Sequence, residues 1–293
     1  MADRKRTEPD WQDMRVFLAV ARHGSLSAAA RALSVNHATI ARRLHALEAD
    51  LGDKLLERRP EGYVLTAAGG YALEAASEME RAADALTRGA GDGAPAGLVR
   101  VNAPPALAAA FLTAGLAEIA SRHTALDIDL ATSLRSVSLE RHEADIAIRV
   151  GRPEDGDVIA RPLGSIGYGY YGTEGAYGRW DDKAPVFVGF DEADAHLPEA
   201  LWLSRHFPRA RLAFRASNQH AQAIAARSGV GIALLPHYIG RAEPSLRPCA
   251  IGPAPAPRDV YLLTRRRDRH SPAIRLVAEE IIGLFAAARA LFE

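Results

Sequence analysis

The sequence predicts an α/β chain in two parts: a mostly helical N-terminal portion and a larger C-terminal portion in which strands alternate with helices. Three observations carry this. Apolar residues recur at helical spacing as far as Arg88, interrupted once by a hairpin pattern. The run Gly89-Ala90-Gly91-Asp92-Gly93-Ala94-Pro95-Ala96-Gly97 has the composition of a flexible linker. From Leu98 onward, short apolar runs alternate with helical stretches, the pattern of an α/β domain with mostly parallel sheets. A length of 293 residues suits two domains, and 48% hydrophobic with 25% charged residues is the mix of a chain with a real core, which excludes disorder as the main state.

Taken in order, Met14, Phe17, Leu18 and Ala21 form one face of a helix over residues 11–24. His23-Gly24-Ser25 ends it and caps the next, a short Ala-rich helix from Ser27 to Leu33. Asn36 is a good N-cap for a third helix in which Ile40, Leu44, Leu47 and Leu51 recur, with Gly52 as its stop. Leu55–Arg58 and Tyr63–Leu65, joined by Arg59-Pro60-Glu61-Gly62, read as a hairpin. A long helix follows from Ala67 to Arg88, whose Leu73, Ala76, Met79, Ala83 and Leu86 make a seam suited to pairing with another helix. Beyond the linker, strands are expected at Leu98–Asn102, Leu126–Ala131, Asp145–Val150, Gly167–Tyr171, Val186–Phe190, Arg211–Ala216, Val230–Leu235 and Val260–Thr264. Helices are expected near 105–121, 136–143, 194–206, 218–228 and 271–290.

Three helices with a tight turn before the third, then a hairpin, describe a winged helix-turn-helix, whose third helix enters the major groove of double-stranded DNA. The chain is neutral overall, with 36 Lys+Arg against 36 Asp+Glu. Even so, the window from Arg22 to Leu47 holds Arg22, Arg31, Arg42 and Arg43 with no acid. At about 100° per residue, the face opposite the core stripe of the third helix is Ala38, Arg42, His45 and Ala49, flanked by Thr39 and Arg43. Arginine forks onto guanine edges, and Ala or Thr packs on a thymine methyl.

Trp11 to Gly69 resembles the DNA-binding domain of the LysR-type transcriptional regulators. The resemblance rests on Phe17-Leu18-Ala19-Val20-Ala21-Arg22-His23-Gly24-Ser25-Leu26-Ser27-Ala28-Ala29-Ala30-Arg31-Ala32-Leu33, on Ile40-Ala41-Arg42-Arg43-Leu44-His45-Ala46-Leu47-Glu48, and on Leu51-Gly52, Leu55-Leu56-Glu57-Arg58 and Leu65-Thr66-Ala67-Ala68-Gly69. Asn36-His37-Ala38-Thr39 departs from the family's usual Ser-Gln-Pro/Ser-Ala; capping is kept, and the resemblance does not carry over which bases are read. The resemblance implies DNA contacts from Ser27, Asn36, His37, Ala38, Thr39, Arg42, Arg43, Arg58 and Arg59, and a homo-oligomer paired through the long helix. It also implies an overall α/β fold whose C-terminal part is a two-lobed, periplasmic-binding-protein-like effector domain.

The expected domains are residues 1–66 for the winged helix-turn-helix, 67–97 for the linker helix and hinge, and 98–293 for effector binding. Within the last, lobe 1 takes about 98–163 and 262–293, and lobe 2 about 164–261. Ligands in such folds sit at strand carboxyl ends against helix N-termini. That marks Asn102, Ala103, Thr132, Ser133, Arg149, Ser217 and Asn218, and Arg149 hints at a carboxylate effector. The same polar groups also serve as plain helix caps, and an interlobe salt bridge accounts for Arg149 equally well.

Other chemistry is not expected. Gly167-Tyr168-Gly169-Tyr170-Tyr171-Gly172 matches GxGxxG, but its glycines lie inside a strand and no periodic helix fits before Pro185, so the tyrosines read as strand packing. His142-Glu143 lacks a second histidine, no histidines show ligand spacing, and Cys249 is a lone spare thiol, so neither metal nor cofactor is expected. Arg265-Arg266-Arg267-Asp268-Arg269-His270 reads as a solvated connection. The first ten residues have no apolar stretch behind their charges, and the uncharged run Val101–Ala117 is interrupted by Pro104-Pro105 and is shorter than the roughly 20 residues a membrane helix needs. The expectation is a cytoplasmic regulator with no membrane partner; the alternative is a small-anion-binding module or an enzyme on the same scaffold.

Overall fold

A computed structural model of the chain describes residues 9–60, 62–87, 95–132, 144–151, 158–177 and 185–293. Helix α1 (Trp11–His23) is closed by Gly24 at φ +68°, α2 (Leu26–Ala32) is capped by Ser25, and α3 (His37–Leu51) by Asn36, whose Oδ1 accepts the Thr39 N–H at 2.7 Å. Gly52 ends α3 in the left-handed region. The caps at Ser25 and Asn36 and the stops at Gly24 and Gly52 are those the sequence marked, because a short polar side chain satisfies an orphan N–H and glycine carries no Cβ penalty at positive φ, while α2 begins and ends one residue earlier than expected.

Strands β1 (Leu56–Arg59) and β2 (Gly62–Leu65) pair antiparallel as the wing. The first begins one residue later than expected, and the carboxylate of buried Glu48 on α3 takes the N–H groups of Leu55 at 3.0 Å and Leu56 at 3.3 Å at its start. Thr66 then donates to Lys54 O at 2.6 Å and accepts the Gly69 N–H at 2.9 Å, which starts α4 (Ala67–Thr87). Gly69 is needed here: a Cβ would stand 2.0 Å from the Leu55 carbonyl oxygen.

The head has its own core, including Phe17, Leu18, Ile40, Leu47, Leu55, Leu73 and Ala76. This corrects the expected pairing seam. Leu73 and Ala76 are both fully buried within their own chain, because α4 lies against α1 and spends that stripe on the head. Met79 is 44% exposed and Ala83 half-buried, while the Leu86 side chain lies outside the described residues. The outward apolar positions are one step round the helix, at Tyr71 and Met79.

Among the described residues, the C-terminal part holds two five-stranded sheets. The first runs in the order β4 (Leu126–Thr132), β3 (Gly97–Ala103), β5 (Ile146–Val150), β12 (Arg258–Arg265), β6 (Val158–Ile166). The second runs β11 (Arg247–Pro248), β7 (Tyr168–Gly172), β10 (Ile232–Pro236), β8 (Val186–Gly189), β9 (Arg211–Arg215). Both are mixed rather than mostly parallel: β12 runs antiparallel to β5 and β6, and β7 antiparallel to β10 and β11. The strand β6 was not expected, because Pro162 and Arg161 break its apolar pattern; an edge strand tolerates a proline that donates no ladder bond. With Ile166 opposite Arg258, the first sheet keeps the chain past 163 and takes it back before 262.

The helices are α5 (Pro105–Leu107), running through a π-type turn into α6 (Thr113–Arg122), then α7 (Glu174–Tyr177), α8 (Pro198–His206), α9 (Gln219–Arg227), α10 (His237–Gly240), α11 (Pro272–Ala287) and α12 (Arg289–Phe292). The expected helix at 136–143, Ser133 and the linker residues 89–94 lie outside the described residues. One apolar core joins both sheets, from Val99 and Ile146 to Phe187 and Leu235.

Arg265 overturns the expectation of a solvated basic connection at its first residue. It is 4% exposed, donates to Asp145 at 2.7 Å and to Ala144 O at 2.8 Å, and pairs with Asp268, itself buried. No helix among the described residues is long and apolar enough to cross a membrane.

Candidate DNA interface and ligand cleft

On the head, α3 turns Ile40, Leu44 and Leu47 inward and exposes His37, Ala38, Arg42, His45 and Ala49. Thr39 is half-buried beside them, and Asn36 at the helix start is exposed although its Oδ1 is spent on the cap. Ser27 is exposed on α2, and Arg58 and Arg59 on β1. Glu48 locks helix to wing, since besides Leu55 N–H it takes Lys54 Nζ at 2.5 Å. The wing is pinned in turn to the α1–α2 turn by Tyr63 N–H donating to Gly24 O at 2.8 Å.

The acid-free basic window is not electrostatically unopposed, and this corrects the sequence reading. Arg43 is drawn back to buried Asp13 at 2.8 Å. Arg22 grips Glu80 of α4 with both guanidinium nitrogens, and Arg100 of β3 reaches the same carboxylate at 3.5 Å. Burial pushes the Glu80 carboxyl up, but the hydrogen bonds and charge of Arg22, with Arg100 beyond, bring it below the ordinary range. Acids remote in sequence thus engage two of the four arginines, and Arg31 and Arg42 remain exposed. Arg42 has no hydrogen bond or ion pair among the described residues.

In the C-terminal part, a cavity of about 140 Å³ lies between the sheets. Arg149, Pro104, Pro105 and Arg258 line it from the first sheet's side, and Tyr168, Phe190, Glu199, Asn218 and Tyr238 from the second. Of the described candidates, only Arg149 and Asn218 reach its wall, and the Asn218 side chain caps α9 through Ala221 N–H at 2.9 Å. Asn102 stands behind the wall, buried, its Oδ1 accepting from Arg149 at 2.8 Å and its Nδ2 donating to Ala131 O. Ala103 is buried, while Thr132 and Ser217 are exposed, and none of the three lines the cavity: strand ends in one layer do not all face the other. Burial holds the Arg149 guanidinium below its ordinary range.

Sequence reasoning missed Glu199 and Arg258. Glu199 is buried in the first turn of α8 and accepts from Arg258 at 3.1 Å, and Arg258 also donates to Val150 O. Burial, with the Glu199 charge next, pushes the Tyr168 and Tyr238 phenols well up, so both are neutral hydrogen-bonding groups. An acid just after Pro198 at a helix start was the one local signal for Glu199. Arg258 had none, because its role depends on where the chain re-enters the first sheet. The GxGxxG tyrosines are strand residues of β7, as read, and Cys249 is a buried free thiol whose pKa burial raises.

Residues 11–70 match the family described as "Bacterial regulatory helix-turn-helix protein, lysR family", and residues 92–286 match "LysR substrate binding domain". The Mau operon transcriptional activator of Paracoccus denitrificans is 30% identical over 286 residues, covering 94% of this chain and 97% of that protein. The iron-regulated virulence regulatory protein IrgB of Vibrio cholerae is 29% identical over 280 residues, covering 86% and 90%. Among solved structures, ArgP from Mycobacterium tuberculosis has a TM-score of 0.64 at 18% identity, covering 95% of this chain and 98% of that one. The full-length Vibrio cholerae virulence activator AphB has a TM-score of 0.57 at 23% identity, covering 94% and 99%. These two likenesses speak to the fold alone. The two domain matches span nearly the whole chain, which belongs to the LysR family: a transcriptional regulator, not an enzyme, with a helix-turn-helix for DNA and a substrate-binding domain for a small-molecule effector.

Proposed function

We propose that the chain works in the cytoplasm as a homo-oligomer in which each α3 enters a major groove and reads bases through Arg42, helped by Ala38 and Thr39. The single observation behind this is the exposure of Arg42 opposite a fully inward core stripe, while Arg43 is held by Asp13 and Arg22 by Glu80. Arg43, Ser27, Asn36, His37, Arg58 and Arg59 then contact the phosphate backbone or orient the helix, which fixes register without reading sequence. The expected effect of Arg42→Ala is a loss of about 1–3 kcal/mol on the specific site only. Competition between specific and random duplexes measures it; an equal loss on both would mean that Arg42 touches phosphate alone. The outward side of α4, at Tyr71 and Met79, is the surface offered for pairing heads.

The cleft is proposed to take a small carboxylate. Among the described residues, the charged side chains lining it are Arg149, Arg258 and Glu199, a formal excess of one positive charge. Its 140 Å³ compares with the roughly 150 Å³ cavity that holds benzene, so the ligand is of single-ring size. A thermal-shift screen of small carboxylates against their amides tests this. A carboxylate at 100 times its Kd stabilises by about 2.7 kcal/mol, and Arg149→Leu removes that gain. If only the uncharged partners of each pair raise the melting temperature, the carboxylate reading fails.

A further inference from the structure

We infer that Glu199 determines the specificity of the cleft: its carboxylate occupies Arg258 and so confines the site to ligands that carry a single carboxylate. The inference deepens the carboxylate reading of the cleft and rests on it. Glu199 and Arg258 come from opposite walls, the acid from the first turn of α8 and the guanidinium from the first residue of β12, and they meet at 3.1 Å. Glu199 is buried, so its charge is little screened, and it is the one acid among the described residues that line the cleft. The Tyr168 hydroxyl donates to it as well, and the Tyr238 phenol is near enough to feel its charge.

Two arginines therefore face the cleft, and one of them is already answered from within the chain. Register sets them apart: Tyr261 of β12 stands opposite Arg149 of β5, and Arg258 lies three residues before Tyr261, about 10 Å along the strand. Their partners differ too, since Arg149 donates to Asn102 and Ile148 O, and Arg258 to Glu199 and Val150 O. One ligand carboxylate offsets the single excess positive charge of the described lining. A second finds Arg258 held, meets Glu199 as a like charge, and loses its hydration with no counter-charge in return. Rejection by a repulsive group separates ligands of nearly equal size, which shape alone does poorly.

The test is calorimetric titration of the full-length chain near neutral pH with butyrate, succinate and succinamate, which share a chain length and end in a methyl, a second carboxylate and an amide. Butyramide is the uncharged control. In the unmodified chain, butyrate and succinamate should bind about tenfold or more tightly than succinate. Glu199→Gln keeps the size and the acceptor for Arg258 but removes the charge, and should raise succinate affinity relative to butyrate by about tenfold or more. Glu199→Asp keeps the charge and should leave that ratio as it was, while Arg258→Met added to Glu199→Gln should cancel the gain. The inference is overturned if succinate matches butyrate in the unmodified chain, if Glu199→Gln leaves the ratio unchanged, if Glu199→Asp moves it equally, or if the gain survives the loss of Arg258. Should Glu199→Gln not fold, the unmodified chain and Glu199→Asp still decide the matter. Butyrate and succinamate that bind no better than butyramide would overturn the carboxylate reading and this inference together; anions that all outbind butyramide equally would overturn this inference alone.

Discussion

Leu73→Glu unfolds the head of this protein rather than dividing an oligomer of intact heads. Leu73 is fully buried on α4 against the core that holds Phe17, Leu18 and Ile40. Removing the leucine alone costs about 2–5 kcal/mol, and placing a carboxylate in that space adds a desolvation term that no partner offsets. A domain of this size rarely has more than about 5 kcal/mol in hand, so the expected result is a head unfolded at 25 °C with binding lost on every DNA sequence. Met79→Glu, on the exposed side of the same helix, leaves the head's melt unchanged and lowers the sedimenting mass. A Leu73→Glu chain that kept its head transition and lost only mass would show that α4 meets its partner through Leu73 after all.

Arg265→Met destabilises the C-terminal domain by about 3–5 kcal/mol, because it removes from a buried site the guanidinium that Asp145 and Asp268 share. The loss is structural: Arg265 ties the end of β12 to the start of β5, and Asp145 also accepts Arg100 N–H of β3 at 2.9 Å, so three strands of one sheet meet at this cluster. Combining Arg265→Met with Asp145→Asn and Asp268→Asn should recover most of the stability, since it removes the buried charges together. Denaturant midpoints of the two variants measure the difference. If Arg265→Met alone costs under about 1 kcal/mol, water reaches the cluster and it behaves as a surface pair.

The head was legible in detail. Ser25, Asn36, Gly24 and Gly52 mark the ends of its helices, and the stripe of Ile40, Leu44 and Leu47 gives the inward face of α3 from phase alone. The cleft was legible only in part. Arg149 lines the cavity and Asn102 stands behind it, yet Thr132 and Ser217 stand away from the cavity, and Glu199 and Arg258 form a pair no local pattern announces. Parallel sheets were expected because alternation of strand and helix says nothing about the strands that cross between lobes, and β6, β7 and β12 are those strands.

The sequence by itself determined the winged helix-turn-helix, its caps and the exposed side of α3, because capping and amphipathic phase act between residues a few positions apart. Only the tertiary structure decided which arginines remain available, which stripe of α4 is spent inside the head, and which side chains meet in the cleft. Arg22 finds its acid 58 residues away and Arg265 finds one 120 residues away. Burial and charge pairing at such separations depend on how layers pack, and spacing along a chain carries no record of that.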